Sequence, residues 1–180
     1  MELLSSSFAS TLLKNGDPSV VALIETKPTI VRDTTLFSEV FDLLLDQRRT
    51  GIAVVNAQGL LRGVCTLRTL ASTGLAISGE TAALIPSLRF LREDLEQMKE
   101  RLEATFALPV TKYLDPFVPE LTVFASLPEV FFQFFRNNMY LPIIDDAKSR
   151  RLVGIIEGRK ALETILGPGL GERAALNSVP

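Results

Sequence analysis

Histidine is missing from all 180 residues, and cysteine occurs once, as Cys65. Without an imidazole the chain holds no Ser-His-Asp triad, Cys-His dyad or histidine-based metal site, since each needs a nitrogen base titrating near neutral pH. One cysteine excludes an internal disulfide and a thiolate set for zinc. An excess of charge is lacking too: 19 basic residues face 21 acidic ones, leaving no basic stripe to neutralise phosphates, so no nucleic-acid partner is expected. No apolar run approaches the roughly 20 residues that cross a bilayer, and no membrane span is expected. The first ten residues have no basic stretch and are interrupted by Ser5, Ser6 and Ser7, which argues against a secretory leader and for a cytoplasmic protein. Together these absences point away from an enzyme.

What is present is an internal repeat. Residues 28–71 and 119–166 match at a separation of about 90 positions. Leu36 followed by Glu39-Val40 corresponds to Leu127 followed by Glu129-Val130, Ile52 to Asn56 to Leu141 to Asp145, and Leu61-Arg62-Gly63-Val64 to Leu152-Val153-Gly154-Ile155. The first copy reads as a short strand over 29–32, a helix over about 37–48 with Val40, Leu43, Leu44 and Gln47 on one face, a β-branched strand over 52–55, a turn, a returning strand over 60–65 and a short helix over about 67–74. Asp33-Thr34-Thr35 offers an N-cap for the first helix. The order is β-α-β-β-α, twice, giving an α/β (α+β) fold class.

Between the copies, Leu84, Leu88, Leu91, Leu95, Met98 and Leu102 recur at spacings of four and three, with charged residues on the other faces. This predicts an amphipathic helix starting near Pro86, about 20 residues and roughly 30 Å long. It either packs on its own repeats or joins a homodimer contact. Two further helices are expected before the first copy, over 2–14 and from Asp17-Pro18. The division by sequence is 1–75 for the N-terminal helices and first repeat, 76–107 for the insertion, 108–167 for the second repeat and 168–180 for a flexible tail. Phe131, Phe132, Phe134 and Phe135 surround the second repeat's first helix on more than one face. They either pack in the core or dock a partner subunit.

These residues resemble tandem CBS domains, or Bateman modules. The resemblance rests on Gly51-Ile52-Ala53-Val54-Val55-Asn56, on Gly59-Leu60-Leu61-Arg62-Gly63-Val64-Cys65-Thr66, on Tyr140-Leu141-Pro142-Ile143-Ile144-Asp145-Asp146, and on their duplicated order, covering about residues 15–75 and 108–167. It implies two repeats packed sheet to sheet about a pseudo-twofold axis, with clefts between them that often take adenosine-containing ligands. The long helix between repeats is also distantly similar to the gamma subunits of AMP-activated kinase. In the family a Gly-h-x-Thr/Ser-x-x-Asp motif supplies a hydroxyl to a phosphate and a carboxylate to the ribose. Here Gly63 and Thr66 keep the first half, but Thr69 stands in the Asp position. In the second copy Glu157 and Lys160 replace both groups, with Arg159 beside them.

The ligand-binding set implied by the resemblance is Val31, Thr50, Ile52, Ala53, Thr66, Arg68, Thr69, Thr122, Leu141, Pro142, Arg159 and Lys160, with no catalytic and no metal residues. Two functions follow. One is a regulatory, homodimeric module taking AMP, ADP, ATP or S-adenosylmethionine and acting on a regulated enzyme or transporter. The other is a ligand-free scaffold or dimerisation module working through protein contacts.

Overall fold

A strand buried on both faces reads as an apolar run without alternation, and the central strands here are of that kind. The computed structural model describes residues 15–46, 49–74 and 95–166. The expected helix over 2–14, Gln47, the beginning of the inserted helix and the tail lie outside the described residues. In chain order the elements are α1 (Pro18–Val21), β1 (Ile30–Arg32), α2 (Phe37–Asp46), β2 (Gly51–Val55), β3 (Leu61–Thr66), α3 (Leu67–Gly74), α4 (Leu95–Thr105), a 3-10 turn (Val110–Tyr113), β4 (Leu121–Thr122), α5 (Leu127–Phe135), β5 (Tyr140–Ile144), β6 (Leu152–Glu157) and α6 (Gly158–Leu166). Two β-α-β-β-α units result, each with a three-stranded sheet, β1-β2-β3 and β4-β5-β6. No helix among the described residues is long and apolar enough to cross a membrane.

The units repeat down to the register. Parallel pairing of β1 with β2 is matched by β4 with β5. In the antiparallel pairs, Ile52 opposes Cys65 as Leu141 opposes Ile156, and Val54 opposes Gly63 as Ile143 opposes Gly154; both pairs then slip at the same step. The sheets stack face to face, joined by a bridge between Leu60 and Arg151, which are equivalent residues of the two copies. A contact between equivalents lies on the pseudo-twofold axis.

Alternation along each central strand sorts side chains to two surroundings. Ile52 and Val54 face the helices of the first unit with Phe37, Val40 and Leu44. Ala53 and Val55 meet Tyr140, Ile144, Leu152 and Ile155 of the other sheet. Because neither face meets water, both strands read as unbroken apolar runs.

Each unit is completed by a piece of chain from the other half. Val20 and Leu23 belong to the core of the second unit, with Val123, Leu141 and Ile156. Val110 belongs to the core of the first, with Phe106, Tyr113 and Leu114 packed against it. This exchange corrects the expected helix cap. The Thr35 hydroxyl accepts the Arg32 N–H at 3.1 Å, and the first turn of α2 is satisfied from far along the chain: Phe37 N–H donates to Leu108 O at 2.9 Å and Ser38 N–H to Phe106 O at 3.3 Å. The cap expected at Asp17-Pro18 is present, with Asp17 accepting the Ser19 N–H. So is a capping box at α5, where Ser126 and Glu129 exchange hydrogen bonds. Glu129 is held below its ordinary pKa chiefly by the Ser126 N–H. The described part of the inserted helix, α4, packs against α3 of its own chain.

Candidate functional site

Two junctions, where β3 runs into α3 and β6 into α6, carry the residues that sequence singled out. At the first, Thr66 and Thr69 hold the turn between them: Thr66 N–H donates to Thr69 Oγ1 at 3.2 Å and Thr69 N–H to Thr66 Oγ1 at 3.4 Å. The Thr66 hydroxyl in turn donates to Asp115 Oδ2 at 2.6 Å, and Arg68 Nε lies 3.7 Å from the same oxygen. Arg68 also sits over the Phe117 ring, 5.7 Å from its centroid.

At the second junction Lys160 Nζ donates to Glu25 Oε2 at 2.6 Å and lies 3.6 Å from Glu157 Oε2. Its pKa is raised above the lysine norm, first by that hydrogen bond to Glu25. Thr50 reaches across from the first unit to Glu157 at 3.4 Å. Glu25 and Asp115 hold matching places, since Glu25 N–H donates to Ile155 O and Asp115 N–H to Val64 O. Each junction is therefore closed by a carboxylate from the segment leading into the first strand of the opposite unit.

The backbone donors near the strand edges are also taken. Asp33 N–H donates to Val55 O, and Ala53, paired with Ile30, is the first β2 residue of that ladder. Its N–H donates to the Tyr140 hydroxyl at 3.2 Å. In the second unit the equivalent residue is Pro142, which has no N–H to give.

The remaining members of the expected set divide by face. Val31, Ile52 and Leu141 lie in the helix-side cores. Thr122 lies in β4, its hydroxyl accepting the Phe124 N–H. Arg159 is a surface residue paired with Glu163. Pro142 lines a cleft of about 280 Å³ with Leu61, Arg62, Gly63, Val64, Leu114, Asp115, Pro116, Val118 and Glu120. The volume is slightly below the ~300–1,000 Å³ of ordinary ligand pockets. Glu120 in its lining is tied to Arg150. Cys65 is buried and its thiol is pushed up to about 12 by desolvation, which makes it an inert core residue. Among the described residues no group of acidic or cysteine side chains is arranged to hold a metal.

Asp115, Glu25 and the Tyr140 hydroxyl were not singled out in the sequence. A signal existed for the first two, because the repeat comparison begins at Pro28 and Pro119. Carried back from those prolines, it reaches Glu25 after three residues and Asp115 after four, which sets the two carboxylates one position apart.

Residues 20–74 match the CBS domain family. No curated protein matches the chain by sequence. Solved structures do share the fold. CBSX2 in complex with AMP is 16% identical, with 80% of this chain and 92% of that one covered at a TM-score of 0.55. AcuB of Vibrio cholerae, put forward as an acetoin utilization protein, is 17% identical, with coverage of 88% and 95% and a TM-score of 0.56. Protein MJ1225 of Methanocaldococcus jannaschii, put forward as an archaeal homologue of g-AMPK, is 14% identical, with coverage of 88% and 52% and a TM-score of 0.58.

Proposed function

From a chain that carries a CBS domain in residues 20–74 and folds as a pair of such repeats, we propose a regulatory module and not an enzyme. A small ligand of the adenine-nucleotide class enters the cleft between the repeats and shifts their relative pose. The observation that supports this is the ownership of the walls: Leu61 to Val64 come from the first repeat, Glu120 and Pro142 from the second. An occupant touches both, so its affinity depends on how the two are set. AMP is the first candidate, given the AMP complex of CBSX2, followed by ADP, ATP and S-adenosylmethionine. The regulated target is an enzyme or transporter reached from the cytoplasm. Isothermal titration of the purified chain with these four compounds is expected to give saturable heat and a raised Tm for at least one of them. Four silent titrations sink the reading.

A second reading, assembly as a homodimeric scaffold, draws on a different observation. Phe132 and Phe135 on α5 are 55% and 85% exposed, and Leu162, Ile165 and Leu166 on α6 are exposed as well. Apolar surface of this kind is rarely left in water. Light scattering is expected to return twice the chain mass of 19.8 kDa, falling to the single mass in a Phe132→Glu/Phe135→Glu double variant. A wild-type chain that stays monomeric at high concentration counts against the dimer.

A further inference from the structure

At the junction of β3 and α3, three donors surround one carboxylate. The Thr66 hydroxyl and Arg68 address Asp115 Oδ2, at 2.6 and 3.7 Å, and the Phe117 N–H donates to Oδ1 at 3.0 Å. The Asp115 side chain is 1% exposed, while that of Arg68 is 43% exposed. The arrangement is an anion held by a hydroxyl, a guanidinium and a backbone N–H. Here that anion is part of the chain, and it borders the cleft between the repeats.

We propose that Asp115 is a built-in competitor, holding the anion position at Thr66 and Arg68 so that an anionic ligand settles there only by displacing it. This rests on the regulatory reading above and adds what sets its threshold. A tethered carboxylate acts at an effective concentration on the order of millimolar or more. A free anion in micromolar supply wins only if it brings further contacts, and the apolar walls of Leu114, Pro116 and Val118 beside the junction offer them. Apparent affinity is then reduced by the fraction of molecules in which Asp115 has let go. Displacement also carries a signal. Asp115 stands shortly before β4, and displacing its side chain frees the Phe117 N–H from Oδ1, which loosens the segment that leads into the second repeat.

The test is a titration of the full chain with AMP and, separately, with inorganic phosphate. Wild type is compared with Asp115→Asn and with Asp115→Asn/Arg68→Gln. Asp115→Asn is expected to bind AMP at least tenfold more tightly than wild type, to gain affinity for phosphate as well, and to lose both gains when Arg68 is replaced. Asp115→Ser, which keeps an acceptor for the Phe117 N–H, repeats the measurement should the Asn variant not fold. Equal or weaker binding by the Asp115 variants overturns the competitor role and leaves the nucleotide reading standing. Binding by the variants alone sustains the role and removes unaided nucleotide regulation. Silence from wild type and variants alike overturns both.

Discussion

Replacing Tyr140 with alanine is expected to cost about 3–5 kcal/mol of unfolding free energy, the range for deleting a buried ring and leaving its cavity. Tyr140 is 2% exposed and stands in the layer between the sheets with Val55, Leu61 and Val64. It fills a space the first sheet leaves open, because a Cβ at Gly51 would lie 2.8 Å from Tyr140 Cγ. Burial holds its phenol protonated, well above the ordinary tyrosine pKa, and the hydroxyl oxygen accepts the buried Ala53 N–H. Tyr140→Phe separates the two contributions. The ring stays, the N–H loses its acceptor, and the expected cost is about 1–3 kcal/mol. Urea denaturation of both variants reads the difference. An alanine variant within about 1 kcal/mol of wild type, small against the usual cost of ring deletion, would mean that the sheets do not pack through this residue.

Gly154→Ala is expected to cost about 3 kcal/mol, from overpacking together with strained or lost backbone hydrogen bonds. A Cβ there would lie 2.6 Å from the Glu25 carbonyl oxygen and 2.6 Å from Ile24 Cγ2. The first of these is backbone, so relief requires the chain itself to move. Two hydrogen bonds are at stake, Glu25 N–H to Ile155 O at 2.8 Å and Ile155 N–H to Glu25 O at 3.1 Å. The same shift draws Glu25 away from Lys160. The variant should therefore lower the denaturation midpoint and also return the Lys160 pKa toward that of a free lysine, a change that NMR titration detects. A stable variant with an unchanged lysine would show that the segment is not seated on β6.

The repeat, the element order and the turn position were legible in the sequence because they depend on local pattern: an apolar run rich in β-branched residues at Ile52 to Val55, an Asn-containing turn at Asn56, a glycine at Gly59. The facing of individual side chains was not. A strand covered on both sides carries no polar and apolar alternation to mark its parity, so Ile52 and Leu141 read as equal to Ala53 and Pro142, although they point the opposite way. The α2 cap was hidden for another reason. Thr35 looks like a capping residue, but the carbonyls of Phe106 and Leu108 reach Ser38 and Phe37 from about seventy positions away, and propensity yields to such tertiary partners. At the junctions the sequence displayed the altered motif residues Thr69, Glu157 and Lys160. Their partners Asp115 and Glu25 lay outside the compared stretch.

The exchange of Val20 and Leu23 for Val110 bears on how such a protein is inherited. A coding fragment that ends between the copies would specify one half lacking a wall of its own interior and another half carrying a wall meant for its neighbour. A single copy moved by recombination would therefore lack part of its own core unless a short strip of the other moved with it.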